Sequence, residues 1–170
     1  KSVIVTGGVH GYETSGVHGA LSFIEHHLTG KSDADREMVA EEFNILVAPC
    51  VSPWAYEFVQ RWQVNAVDVN RSFLSRDQRP KSEGGDFGEP RTDESALLMD
   101  FLAGGPGAEA FDLHMDLHET TDTDSTEFGP ARKARDGEDF SWEKDRGVVP
   151  AGFYTIGDAA RPALESTTHV

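Results

Sequence analysis

The opening of the chain constrains the fold more than any other segment, because a strand-like run leads through a glycine-rich turn into a helix-like run. The strand-like residues are SVIVT at 2–6, and the helix-like residues are GALSFIEHHLTG at 19–30. The same patterns predict a strand at 43–49 (FNILVAP), a helix at 93–105 (DESALLMDFLAGG) and a strand at 110–119 (AFDLHMDLHE). Strands that alternate with helices predict an α/β fold whose strands run parallel.

Of the remaining segments, residues 31–42 are predicted to be a loop with a short helix, and residues 54–62 a helical turn or a loop. Residues 75–92 are rich in glycine, proline and charge, and residues 120–147 are polar, so both are predicted to be surface loops, with one more short strand at 147–158. A length of 170 residues suits one domain, which we expect to span residues 1–170. Lys1 stands directly ahead of a strand, and the last residues carry no stop signal, so we expect this domain to be incomplete at both ends.

The charge of the chain excludes some classes of partner. Its formal net charge is −15, from 30 acidic and 15 basic residues. Such a surface argues against binding nucleic acid through a basic face and against adhesion to anionic membranes. No run is long and apolar enough to span a bilayer. The single cysteine, Cys50, cannot form a disulfide within the chain.

His10 and Glu13 lie three residues apart in the turn after the first strand. In open α/β sheets, sites form at the carboxyl ends of the strands. If the chain becomes helical here, positions three apart lie on one side, where an imidazole nitrogen and a carboxylate oxygen can bind one metal ion. We expect the glycines of this turn to let the backbone come close to that site. The alternative is an exposed turn with a helix-capping glutamate.

A row of acids and histidines on a later strand offers a third ligand. Asp112, His114, Asp116 and His118 share one face if this segment is a strand. Each histidine has an aspartate two residues before it, which could hold the second imidazole nitrogen and set the tautomer. The alternative is a solvated polar face of a half-exposed strand.

Arg61, Asn70 and Arg71 offer groups that suit a substrate carboxylate or carbonyl. The planar guanidinium of arginine matches a carboxylate, and Arg61 could stabilise a developing oxyanion. The alternative is that all three are ordinary surface residues.

Together these motifs resemble the zinc carboxypeptidase superfamily, which includes the aspartoacylases and succinylglutamate desuccinylases. HGYE at 10–13 resembles the family's His-x-x-Glu after the first strand. Arg61 with DVNR at 68–71 resembles its arginine followed by Asp-Leu-Asn-Arg, and DLHE at 116–119 resembles its Asp-Leu-His. The likeness covers about 110 residues and implies a mixed, largely parallel central sheet with helices on both faces, here in a truncated copy.

The resemblance implies one zinc ion held by His10, Glu13 and His118. His118 is preferred because DLHETT resembles the continuation in the deacylase branch, and His114 is the alternative third ligand. The same alignment implies that Asp116 holds the second imidazole nitrogen of His118, the one that does not bind the metal.

The resemblance also implies roles in substrate binding and catalysis. Arg61 is expected to assist the carbonyl oxygen, and Asn70 and Arg71 to bind a free carboxylate on the substrate. The substrate is then a peptide or an N-acyl amino acid.

Two departures from the family pattern stand out. The family's general base is a glutamate on a late strand, and neither Glu165 nor Glu119 is a secure match, so we expect the base beyond residue 170. Ser52-Pro53-Trp54 stands where the family often has Asn-Pro-Asp.

These features predict a zinc-dependent metallocarboxypeptidase-like hydrolase that cleaves an amide bond beside a free carboxylate. One alternative is an N-acyl amino acid deacylase of the aspartoacylase or succinylglutamate desuccinylase type. Another is a non-catalytic metal-binding module that lacks the general base.

Overall fold

The central strand β1 (Ser2–Gly7) has a parallel neighbour on each side. The structure is a computed structural model that describes residues 1–29, 33–73, 92–104, 111–120 and 124–145. In these residues β2 (Asn44–Ala48) and β3 (Leu113–Leu117) pair with β1 in the order β2-β1-β3. The predicted α/β fold with parallel strands is confirmed, whereas the strand predicted at 147–158 lies outside the described residues.

The core forms around β1 because this strand is covered by its neighbours. Val3, Ile4 and Val5 are buried, as expected for an apolar strand inside a parallel sheet. Helix α1 (Thr14–Phe23) packs against β1 and β3 and buries Val17. It continues as a π-helical turn over Ile24–Leu28.

Helix α1 begins five residues earlier than position 19, where the apolar pattern predicts it. Its amino end lies close to β3, and Gly16 permits this, because a Cβ at that position would collide with the carbonyl oxygen of Leu117. The turn after β1 is therefore shorter than predicted, and it brings the start of α1 to the carboxyl ends of the strands.

The other elements of the first part of the chain agree well with their predicted positions. The charged segment after α1 forms α2 (Asp33–Glu42), and the segment after β2 forms α3 (Pro53–Glu57). A 3-10 turn follows at Val69–Arg71, and α4 spans Asp93–Gly104. None of the helices in the described ranges is long and apolar enough to cross a membrane.

The chain divides into two compact units, Lys1–Glu119 and Thr120–Val170. In the described part of the second unit, a π-helical turn (Asp124–Phe128) leads into α5 (Gly129–Asp136), and α6 spans Trp142–Asp145. The prediction of a loop over 120–147 is wrong for these segments. Pro130 near the first turn of α5 and Gly137 in the left-handed conformation after its last turn are ordinary helix signals within a polar sequence. The single domain over 1–170 stays a prediction.

Candidate metal centre

The turn at residues 8–13 is held against the segment that follows β2. A Cβ on Gly11 would collide with the backbone of Ala55, so only glycine allows this contact. Ser52 is fully buried, and its hydroxyl donates to the carbonyl oxygen of Val9 at 2.8 Å. The glycine therefore makes room for neighbouring backbone rather than for a ligand, and Ser52 supports the turn despite its departure from the family pattern.

Parallel pairing brings the two predicted metal-binding segments to one edge of the sheet. Gly7, the last residue of β1, pairs with Leu117, the last residue of β3. His10 and Glu13 follow the first strand, and His118 follows the third. Because parallel strands end at the same edge, residues more than one hundred positions apart become neighbours.

The side chains of His10, Glu13 and His118 converge on one point. Nδ1 of His10 lies 2.6 Å from Oε1 of Glu13, and Nδ1 of His118 lies 2.6 Å from Oε2 of the same carboxylate. One candidate ligand atom from each residue lies within 4.8 Å of the other two. His10 and Glu13 are each 2% exposed, so this is a buried polar cluster that opens on the side of His118.

Each imidazole also has an aspartate on its outer nitrogen. Nε2 of His10 lies 2.9 Å from Oδ1 of Asp68, and Nε2 of His118 lies 2.8 Å from Oδ2 of Asp116. An aspartate that accepts the Nε2 proton leaves the lone pair of a neutral imidazole on Nδ1. Both histidines are thus oriented with Nδ1 towards Glu13, where a metal would bind.

Asp68 is missing from the site residues predicted from the sequence, although it lies within the DVNR motif. It is buried and comes 58 residues after His10, so no local spacing connects the two. The sequence did offer one signal: Asp68 stands between Val67 and Val69, and an ionised acid in such an apolar segment needs a partner. Asp116 is placed as predicted, two residues before the histidine that it contacts.

Arg61 joins the cluster through Asp68. Its Nη2 lies 3.4 Å from Oδ2 of Asp68, and its Nη1 donates to the hydroxyl of Tyr12 at 3.1 Å. The guanidinium is partly buried, and one carboxylate therefore links it to His10. The structure thus brings this predicted residue to the candidate metal ligands.

Asn70 and Arg71 lie in the 3-10 turn that directly follows Asp68. The backbone N–H of Asn70 donates to Oδ1 of Asp68 at 2.9 Å, which caps this turn. The side chain of Arg71 is exposed, and its charge helps to lower the pKa of Asp68. Both predicted residues therefore stand beside the cluster, and in the described residues the metal-capable group does not include them.

His114 and Glu119 lie near the cluster but contact other groups. Nε2 of His114 lies 2.9 Å from the Thr6 hydroxyl oxygen, and this histidine is outside the metal-capable group in the described residues. The carboxylate of Glu119 accepts from the backbone N–H and the hydroxyl of Ser15 at 3.3 and 2.8 Å. Glu119 is also outside the metal-capable group in the described residues, and Glu165 lies outside the described residues.

The protonation states follow from this network. Burial opposes the charged forms, but hydrogen bonds with Asp116 and Glu13 raise the pKa of His118 to about 10, and those with Asp68 and Glu13 raise the pKa of His10. Burial likewise opposes ionisation of the acids, but hydrogen bonds from the imidazoles lower the pKa values of Glu13 and Asp68 to about 2. The pKa of Asp116 is lowered in the same way. Without a metal and below about pH 6.5, the cluster therefore holds two imidazoliums between three carboxylates.

Comparison with known proteins assigns the chain to a family. A family model described as zinc carboxypeptidase matches residues 1–152, and no curated protein matches the chain. The matched region includes both histidines, the glutamate and the arginine of the cluster. The family match covers most of the sequence, and the chain belongs to the zinc carboxypeptidase family.

Proposed function

We propose that this protein is a zinc-dependent hydrolase that cleaves an amide bond next to a free carboxylate of its substrate. One observation carries the proposal: Nδ1 of His10 and Nδ1 of His118 lie against opposite oxygens of the buried Glu13 carboxylate, each at 2.6 Å. Membership of the zinc carboxypeptidase family supports the same class of chemistry.

The chemistry of the donor set fits a single zinc ion. Two imidazole nitrogens and one carboxylate are one of the common sets of three protein ligands at catalytic zinc sites, and they leave a position for water. The charge balance fits as well, because the three carboxylates, two imidazoliums and the guanidinium of Arg61 sum to zero. A divalent ion that displaces one proton from each imidazole leaves this sum unchanged.

His10, Glu13 and His118 would hold the ion. When bound, zinc supplies a water ligand whose pKa is lowered towards about 7, and it polarises the scissile carbonyl group. Asp68 and Asp116 would keep the Nε2 protons in place and so keep both Nδ1 atoms available.

Arg61 is proposed to stabilise the negative charge that develops on the carbonyl oxygen. Its guanidinium is held by Asp68 and Tyr12, so little reorganisation is needed when the charge forms. Asn70 and Arg71 are proposed to bind the free carboxylate of the substrate, because an exposed guanidinium beside an amide side chain suits this anion.

The general base must accept the proton of the attacking water. Glu119 is not proposed for this role, since its carboxylate is held by the hydroxyl of Ser15 at 2.8 Å. An assay for turnover therefore separates an enzyme from a metal-binding module without a base.

Zinc binding and hydrolysis test the proposal together. We expect the purified protein to bind one zinc ion, to release a carboxy-terminal residue from peptides or an acyl group from N-acyl amino acids, and to lose this activity with a chelator. His118→Ala and Glu13→Gln should abolish zinc binding, whereas His18→Gln, an exposed position on α1, should bind normally. A wild-type protein that binds no zinc would refute the proposal.

The substrate panel separates the two hydrolase branches. Faster cleavage of peptides with a free carboxyl end would assign a carboxypeptidase activity. Faster cleavage of N-acetyl or N-succinyl amino acids would assign a deacylase activity. Zinc binding without turnover on either set would favour the non-catalytic module.

A further inference from the structure

A series of hydrogen bonds continues behind the third candidate ligand, and it passes through the central strand. Thr6 lies opposite Asp116 in the β1–β3 register and is 2% exposed. Its hydroxyl donates to Oδ1 of Asp116 at 2.6 Å, while Oδ2 of the same carboxylate lies 2.8 Å from Nε2 of His118. Both oxygens of Asp116 therefore have a partner, one in the core and one on the candidate ligand.

The direction of each bond follows from the groups involved. A carboxylate only accepts, so the single hydroxyl proton of Thr6 goes to Asp116. Nε2 of His114 lies 2.9 Å from the Thr6 oxygen, and the proton of this contact must then come from the imidazole. The chain thus runs from His114 through Thr6 to Asp116, where it meets the N–H of His118.

This arrangement matters because Asp116 and His118 are accessible to water. The side chains of Asp116 and His118 are 29% and 31% exposed, so solvent competes for their hydrogen bonds. Thr6 is the buried member, and it belongs to the best-covered strand of the sheet. A carboxylate tied to a buried hydroxyl has fewer orientations than one tied to water, and so has the imidazole that it contacts.

We propose that Thr6 and His114 are positioning residues for the third metal ligand, acting through Asp116 on the orientation of His118. Thr6 sets the plane of the Asp116 carboxylate, and His114 holds the Thr6 hydroxyl in the donating orientation. His114 thereby has a role at this site without being a ligand. The inference rests on the proposed zinc site.

The test compares variants of Thr6 with a matched loss of a buried hydroxyl elsewhere. Thr6→Val should weaken zinc binding about tenfold or more, in the range for lost partners of metal ligands. Thr6→Ser keeps the hydroxyl and should bind zinc within about threefold of the wild-type affinity. Thr92→Val also removes a buried hydroxyl, one that accepts from Ser95 N–H, and it should leave zinc affinity unchanged. The affinities are measured by competition titration, with folding checked by circular dichroism.

A second measurement needs neither turnover nor metal. In metal-free protein labelled with ¹⁵N-histidine, Thr6→Val and the exposed His114→Ala variant should both shift the Nε2 resonance of His118. His114→Ala should also weaken zinc binding about threefold, less than Thr6→Val, because it removes only an outer partner.

The outcomes separate the two proposals. If the wild type binds no zinc, the proposed function fails and this inference fails with it. If the wild type binds zinc but Thr6→Val behaves like Thr92→Val, only this inference fails. Should Thr6→Val not fold, an unchanged affinity and an unchanged His118 resonance in His114→Ala overturn the inference.

Discussion

Zinc binding should release protons, and the affinity should therefore rise steeply with pH. In the metal-free cluster the pKa of His118 is raised to about 10, and that of His10 is raised above its usual 6.5. Each imidazole is therefore protonated on both ring nitrogens at pH 6. Glu13, whose pKa is lowered to about 2, is already ionised. Zinc requires a free Nδ1 on each histidine, so binding should release close to two protons at this pH.

The expected magnitude follows from this count. Each released proton makes the apparent affinity rise about tenfold per pH unit, so two protons give about a hundredfold, or about 2.7 kcal/mol, per unit near pH 6. At pH 8, His118 should still release one proton, because its pKa lies two units higher. Above pH 10, His118 should release no proton and should no longer contribute to the pH dependence of zinc affinity.

Isothermal titration calorimetry in buffers of different ionisation enthalpy measures the number of released protons directly. The exposed His18→Gln variant is the control and should release the same number as the wild type. Release of fewer than one proton at pH 6, or an affinity that does not change between pH 6 and 7, would refute this account of the cluster.

Three further predictions concern catalysis, packing and stability. Arg61→Met should lower kcat by about a hundredfold while zinc affinity stays within about threefold, as expected for an oxyanion-stabilising group and checked by steady-state kinetics and metal titration. Gly16→Ala should cost about 2 kcal/mol or more in urea denaturation, because its Cβ would meet the backbone of β3, whereas Gly104→Ala, with no atom nearby in the described residues, should cost nothing measurable. In metal-free protein, the stabilisation from the raised pKa of His118 is complete below pH 6.5 and is lost as the pH rises through 10, and that from the lowered pKa of Glu13 is complete above pH 4.5 and is lost as the pH falls through 2. Denaturation of chelated protein should therefore show greatest stability between about pH 4.5 and 6.5, and a flat profile from pH 4 to 10 would contradict this.

Several features of the fold and of the site could be predicted because their signals are local. The apolar, β-branched run before the first turn predicts β1, and strict alternation predicts that the acids and histidines of β3 share a face. The spacing of His10 and Glu13 predicts that their side chains can meet, because both positions depend on one turn of backbone, and their closest atoms lie 2.6 Å apart. The shared ion stays a prediction.

Other features could not be predicted, because they depend on contacts between distant segments. Asp68 contacts His10 across 58 residues, and Thr6 contacts Asp116 across 110. The helices of the second unit were missed for another reason: α5 is short, its apolar side chains are only Pro130, Ala131 and Ala134, and it buries no residue, so no run of large apolar residues marks it.

Short sequence motifs determine which groups are available to this site, namely imidazoles and acids at the ends of strands. They can do so because ligand chemistry and local spacing depend only on nearby residues. The motifs alone left both His114 and His118 as third ligands and gave no partner for the outer nitrogen of His10. In the fold, the parallel register of β1 and β3 places His118 against Glu13 and His114 against Thr6, and the segment after α3 places Asp68 against Nε2 of His10. Side chains that belong to different strands acquire a common centre only when the backbone pairing between those strands is formed.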